Sequence, residues 1–231
     1  MEHVKLSLDT IIERIRDNDT FAFSRWGDGE WSCILGADGA NCDGHKYYRS
    51  LGIELASVLV CNPEYFTGMQ PMAMRIMGGR IKQWLDEMGI KRGWCNADVI
   101  HEASENGEMD KFFTCLNRCN WHLVSSFTRR ELEQLPLIIK SENINVPFNN
   151  AWAQYPAIKG LVLHRAEIAN KGDVILFCAG MMSKVLIDDV HKLYGSKLTL
   201  IDIGSAFDPY AKRVTRNYHV KVADRLERMG K

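Results

Sequence analysis

The stretch "GDVILFCAGMMSKVLIDDVHKLYGSKLTLIDIG" occupies residues 172–204. Its first part is a short unbroken apolar run held between Gly172 and Gly180, which reads as a buried strand. "MMSKVLIDDVHKLYG" follows as a helix with a glycine at its end, and "LTLIDIG" is a second buried strand. A strand, a helix and a strand in about thirty residues form a βαβ unit, and its two strands run parallel.

The same alternation extends toward the amino terminus. "AIKGLVLHRAEIAN" (157–170) is helical, "LPLIIKS" (135–141) and "INVPF" (144–148) are short extended segments, and "WHLVSSF" (121–127) is a strand after the helix "GEMDKFFTCLNRC" (107–119). Further back, "AMRIMGGRIKQWLDEMG" (73–89) is a helix interrupted by two glycines. "EYFTGM" (64–69) is a strand and "YYRSLGIELASVLV" (47–60) a helix with Leu51, Leu55 and Leu59 on one face. At the start, "LSLDTIIERIRDN" (6–18) spaces Leu8, Ile11, Ile12 and Ile15 as an amphipathic helix, and "TFAFS" (20–24) is a strand. Strands and helices alternate throughout. The expected fold is therefore α/β: a single Rossmann-like domain over 1–231, with a mostly parallel sheet flanked by helices.

Bulk properties exclude several classes. The chain of 231 residues is 46% hydrophobic with a formal net charge of zero, so no global field draws it to nucleic acid or an anionic membrane. No apolar run is long enough to span a bilayer, and "MEHVKLSLDT" lacks a signal-peptide core. The seven cysteines have irregular spacing without a CxxC, which fits reduced thiols in a cytoplasmic protein. Cys115, Cys119 and His122 lie close together without an evident fourth zinc ligand. The segment Tyr210–Lys231 carries seven basic residues against Asp224 and Glu227, and reads as a solvated face.

In open parallel sheets, ligands collect at the carboxyl ends of the strands. Three segments lie there. After the first strand comes "SRWGDGEW" (24–31). If its turn is extended, Asp28 and Glu30 point the same way and can share a hard divalent ion, magnesium or manganese. Gly27 and Gly29 then permit close backbone approach, and Arg25 can pair with a phosphate. After "DVILF", Gly180 stands where a ligand can approach the backbone, and Ser183 and Lys184 can add a hydroxyl and a charge. Tight strand–helix packing explains Gly180 equally well. The third segment, "DIGSAFDPY" (202–210), contributes Asp202 and Asp208. The loop "GADGANCDGHK" (36–46) has no aspartate where an EF-hand needs its first ligand, and reads as a lid beside the site.

"FSRWGDGEWSCILG" resembles the R-[YW]-G-D-G-E signature of the GT-D-fold glycosyltransferases, formerly known as a domain of unknown function. "VPFNNAWAQYPAI" is similar to that family's mid-chain asparagine segment. "FCAGMMSKVLIDDVHKLYGSKLTLIDIGSAFDPY" is similar to its carboxyl-terminal unit, with "AGMMSK" where the family usually shows G-x-[ST]. The resemblance implies a GT-D-type fold and sugar transfer from a nucleotide-sugar, typically a UDP-sugar, to an acceptor hydroxyl on a glycan or glycoprotein. It implies manganese or magnesium held by the Asp-x-Glu motif, here Asp28 and Glu30. Asp208 is then the candidate base, with Asp202 second, for which helix capping or a buried hydrogen bond accounts at least equally; Asn149 and Asn150 are candidates for sugar or uracil contacts, and a turn before Ala151 accounts for that pair equally. Trp26, Trp31 and Trp152 can stack on a base or sugar, although Trp31 lies in a core-like run. The competing readings are a non-catalytic nucleotide- or glycan-binding module and a transferase acting on a modified nucleic-acid base. A Rossmann-like methyltransferase ranks below them, because clustered glycines are absent after the first strand.

Overall fold

The computed structural model describes residues 2–41, 44–61 and 64–230. The strands are β1 (Glu2–His3), β2 (Ala22–Trp26), β3 (Phe66–Met69), β4 (Gly93–Asn96), β5 (Trp121–Ser125), β6 (Ile144–Asn145), β7 (Val174–Cys178) and β8 (Thr199–Asp202). They form one sheet in the order β1-β4-β3-β2-β8-β7-β5-β6. Every pairing within it is parallel, including the pair β7 and β8 of the 172–204 unit, in which Val174 faces Thr199.

The helices are α1 (Leu8–Arg16), α2 (Asp28–Ile34), α3 (Arg49–Val60), α4 (Pro71–Glu87), α5 (Val99–Asn106), α6 (Met109–Arg118), α7 (Arg129–Leu132), α8 (Tyr155–Ile168), α9 (Ser183–Tyr194) and α10 (Asn217–Arg228). α1 starts where Ser7 Oγ accepts from the Thr10 N–H at 3.1 Å. That bond satisfies one of the donors a helix start leaves open. Leu8, Ile11, Ile12 and Ile15 are buried, as their spacing predicts. α4 loses helical geometry at Met77, immediately before the glycine pair 78–79.

Alternate strand residues serve opposite faces of the sheet. Phe23, Leu123, Leu176 and Ile201 pack with Phe112, Phe207 and Val222 on one side. Ala22, Val124, Ile175, Phe177 and Leu200 pack with Ile158, Leu186 and Val190 of α8 and α9 on the other. Burial on both faces is why these strands read as continuous apolar runs.

Two expectations need correction. Residues 135–141 form no strand: the Ile138 N–H donates to Asn117 Oδ1 at 2.7 Å instead of joining a ladder. Only Ile144–Asn145 of the neighbouring segment pairs, with β5. β4 carries no strand signal in the sequence, because its four residues include a glycine and an asparagine. Among the described residues, no helix is long and apolar enough to cross a membrane.

The chain builds outward from β2 to β3 and β4 on one side, and its later strands β5, β7 and β8 lie on the other. The strand order therefore reverses between β2 and β8. At such a point neighbouring connections diverge and leave a crevice beyond the strand ends.

Candidate active site

A pocket of ≈ 300 Å³ opens at that crevice. Arg25 of β2, Cys178 of β7 and Gly204 after β8 line it, together with Asp28, Glu30, Gly180, Lys184, Asp208 and Arg213. All three strand-end segments singled out from the sequence thus meet in one cavity.

The opening motif is not extended. Gly27 is the residue before α2, and the helix begins at Asp28. Two steps along a helix turn a side chain by about 200°, so Asp28 and Glu30 diverge. Asp28 is exposed at the pocket wall. Glu30 is buried, and its Oε2 accepts from the Gly27 N–H at 2.9 Å.

A buried ionic cluster lies at the pocket's edge, with Glu30 and Lys184 in its lining. Lys184 Nζ is 2.6 Å from Glu30 Oε1 and 2.9 Å from Asp202 Oδ2, and it donates to the Gly180 carbonyl at 3.3 Å. An ammonium has three donors, and all three are engaged here, so Lys184 holds the site together and has none to spare for a phosphate. Burial pushes the Glu30 carboxyl up, but the charge and hydrogen bond of Lys184, with backbone donors, bring it below its ordinary value. Burial likewise pulls Lys184 down, and Asp202 and Glu30 more than offset it, leaving it raised.

Asp202 is 1% exposed and does not line the pocket. Its Oδ2 also accepts from the Arg25 N–H at 3.3 Å and its Oδ1 from the Gly204 N–H at 3.1 Å. This geometry corrects its placement as a second candidate base and favours the buried hydrogen-bonding role: it braces the ends of β2 and β8 against α9. Ser183 is fully buried, and its Oγ accepts from the Ala179 N–H at 3.1 Å, so it caps the strand–helix junction instead of facing a ligand. Gly180 does face the pocket, at φ +59.

Asn149 is exposed and neither it nor Asn150 lines this pocket. Asn150, in left-handed backbone, accepts from the Lys46 N–H at 2.9 Å and donates its own N–H to His45 Nδ1 at 3.3 Å. The pair's mid-chain segment thus anchors the 36–46 loop, which puts Asn41 and His45 on the pocket wall. Asp43 of that loop lies outside the described residues. Trp26 and Trp31 are core residues, and Trp152 stacks on Tyr155 with ring centres 4.4 Å apart, away from the pocket.

Asp208 lines the pocket while 5% exposed, and Thr215 Oγ1 donates to its Oδ2 at 3.2 Å. Cys178 beside it stays a thiol, because burial first and then the Asp208 charge push it well above its ordinary value.

Several site residues escaped the sequence reading. Arg213 and Arg216 come from the basic tail read as a solvated face, yet both line the pocket, as do Thr215 and Tyr218. Arg213 makes a two-pronged pair with Glu131, at 2.8 and 2.7 Å, and its guanidinium lies over the rings of Phe127 and Phe148. Its hydrogen bonds pull the Glu131 carboxyl down to about 2. The only signal for these residues was the local excess of basic charge, which does not distinguish a pocket wall from a solvated face.

Gly204 is required by space as well as backbone. It has φ +51, and a Cβ there would run into Arg25 Nη1 and come within 3.0 Å of His101 Cε1. Gly204→Ala is expected to cost roughly 1–2 kcal/mol from the left-handed backbone and to displace Arg25. Urea denaturation checks this; an unchanged midpoint would contradict it.

No protein-family model matches the sequence, and no curated protein sequence matches it. Solved structures do match. A glycosyltransferase (DUF1792) from Streptococcus sanguinis superposes with a TM-score of 0.62 at 17% identity, covering 89% of this chain and 82% of that one. A structure of domain of unknown function 1792, with a distinct glycosyltransferase fold, gives a TM-score of 0.63 at 16% identity over 91% of this chain and 82% of the other. This chain has that glycosyltransferase fold. The pocket lies where the strand order reverses, and there the three strand-end segments converge.

Proposed function

We propose that this protein is a glycosyltransferase that moves a sugar from a nucleotide-sugar, a UDP-sugar first among them, to an acceptor hydroxyl on a glycan or glycoprotein. The observation that carries this reading is the pocket at the sheet's reversal point, with a buried carboxylate, Asp208, and cationic side chains in one wall. In the reaction the acceptor oxygen bonds to the anomeric carbon and the bond from that carbon to the diphosphate breaks. Asp208 takes the acceptor's proton, and the pocket's guanidinium groups offset the charge gathered by the departing diphosphate. The fold similarity supports the class of reaction; the donor and acceptor rest on the sequence resemblance.

The manganese or magnesium ion of that resemblance does not fit as a shared ligand of Asp28 and Glu30. Both Glu30 oxygens are engaged, by Lys184 and by the Gly27 N–H, and no group of three or more metal-binding side chains occurs among the described residues. Of that pair, only Asp28 is exposed at the pocket wall. A divalent ion held by one carboxylate and substrate oxygens would add Lewis acidity at the diphosphate.

A panel of UDP-, GDP- and TDP-sugars, with EDTA and with manganese, tests the reading through nucleotide release and thermal shift. At a hundred times Kd the correct donor is expected to raise Tm by about 5 °C or more. No shift and no nucleotide release with any donor would remove the proposal.

A further inference from the structure

Nδ1 of His101, in α5, is buried without a hydrogen-bond partner among the described residues, and the side chain, 6% exposed, forms part of the pocket wall. A buried ring nitrogen without a partner carries a desolvation cost that folding alone does not offset. Its neighbour across Gly204 is Arg25, whose Nε donates to the Ala97 carbonyl at 2.6 Å and whose Nη2 pairs with Asp98 at 2.9 Å. Arg25 Nη1 makes no hydrogen bond among the described residues and lies over Gly204, in the space a side chain there would fill. The absence of a Cβ at 204 therefore brings an uncommitted guanidinium nitrogen and an imidazole with an uncommitted nitrogen to the same spot on the pocket wall.

We propose that Arg25 and His101, meeting over Gly204, form a phosphoryl-binding subsite of this pocket, in which His101 donates one hydrogen bond to a phosphate oxygen and Arg25 a second. The local charge favours an anion over a neutral hydroxyl. Burial is the main cause that keeps the His101 ring neutral, followed by the positive charges of Arg25 and Arg216. The ring thus sits in a positive field while keeping one N–H to give. A guanidinium N–H to a phosphate oxygen is the stronger, charge-assisted type of bond. This deepens the transferase reading and rests on it only in naming the donor's diphosphate as the first occupant. A phosphate ester on the acceptor has the same chemistry.

The test is calorimetric binding of UDP, uridine and glycerol phosphate to the whole chain and to its His101→Leu and His101→Gln variants, with melting curves confirming that each folds. Loss of a hydrogen bond to a charged group is expected to weaken phosphate-ester binding about tenfold in His101→Leu, with uridine unaffected. His101→Gln, which keeps an N–H donor, is expected to recover most of that loss. A loss confined to UDP assigns the subsite to the donor, and a loss confined to glycerol phosphate assigns it to the acceptor. Equal affinities of wild type and His101→Leu for both phosphates overturn the proposal, even if sugar transfer is confirmed. Phosphate binding that depends on His101 in a protein that transfers no sugar leaves the subsite standing and removes the transferase reading.

Discussion

Lys184→Met lowers the unfolding free energy by about 3–5 kcal/mol at neutral pH, the expected cost of stripping the partner from buried charges. The substitution keeps the length of the side chain and removes the ammonium that lies 2.6 Å from Glu30 and 2.9 Å from Asp202. Both acids stay buried, at 7% and 1% exposure, with no cation between them. The pH dependence then changes sign. In the native protein Glu30 titrates below its ordinary value of 4.5. Its contribution is therefore present above that value and is lost as pH falls through the folded pKa. Without Lys184 only burial and backbone bonds remain, burial dominates, and the folded pKa rises above the unfolded one. The variant then gains stability on acidification from pH 7 toward pH 5, where wild type gains none from this group. Urea midpoints at the two pH values read this directly. A loss below about 1 kcal/mol, or the same pH slope in both proteins, would show that the cluster does not bind these strand ends together.

Asp208→Asn acts on turnover. Removing a positioned general base is expected to lower kcat by about 10²–10⁴-fold. The amide has nearly the shape of the carboxylate, and its oxygen can still accept from Thr215 Oγ1, now at 3.2 Å. Stability and donor affinity should therefore change little while the chemical step slows. The measurement is single-turnover sugar transfer alongside a melting curve and a donor titration. A rate within threefold of wild type in a folded variant would take the base role away from Asp208.

The two experiments probe different parts of the same site. Lys184, Glu30 and Asp202 join α9, α2 and β8 through charge, and Asp202 also holds the backbone of Arg25. Asp208 stands in the pocket wall. Three of the acids marked from the sequence thus divide into two that build the site and one positioned for chemistry. Residue type alone could not make that division, because a carboxylate that braces and one that accepts a proton have the same letter.

The run Val174–Phe177, the helix to Tyr194 and the run ending at Asp202 were legible because each pattern is local. Apolar residues with helical or extended spacing report which face is buried, and glycines at 172, 180 and 195 punctuate the elements. Those patterns determined an α/β chain with parallel pairing, and they brought the three strand-end segments to notice. They could not determine that α2 begins at Asp28 itself, which turned a supposed carboxylate pair into one exposed acid and one buried partner of Lys184. Nor could they place Arg213 and Arg216 in a pocket wall, or set His101 beside Arg25, 76 positions apart in sequence. Those arrangements depend on the strand order and on which buried charges neutralise one another. Both are settled by contacts between distant segments, and only the folded chain brings those segments together.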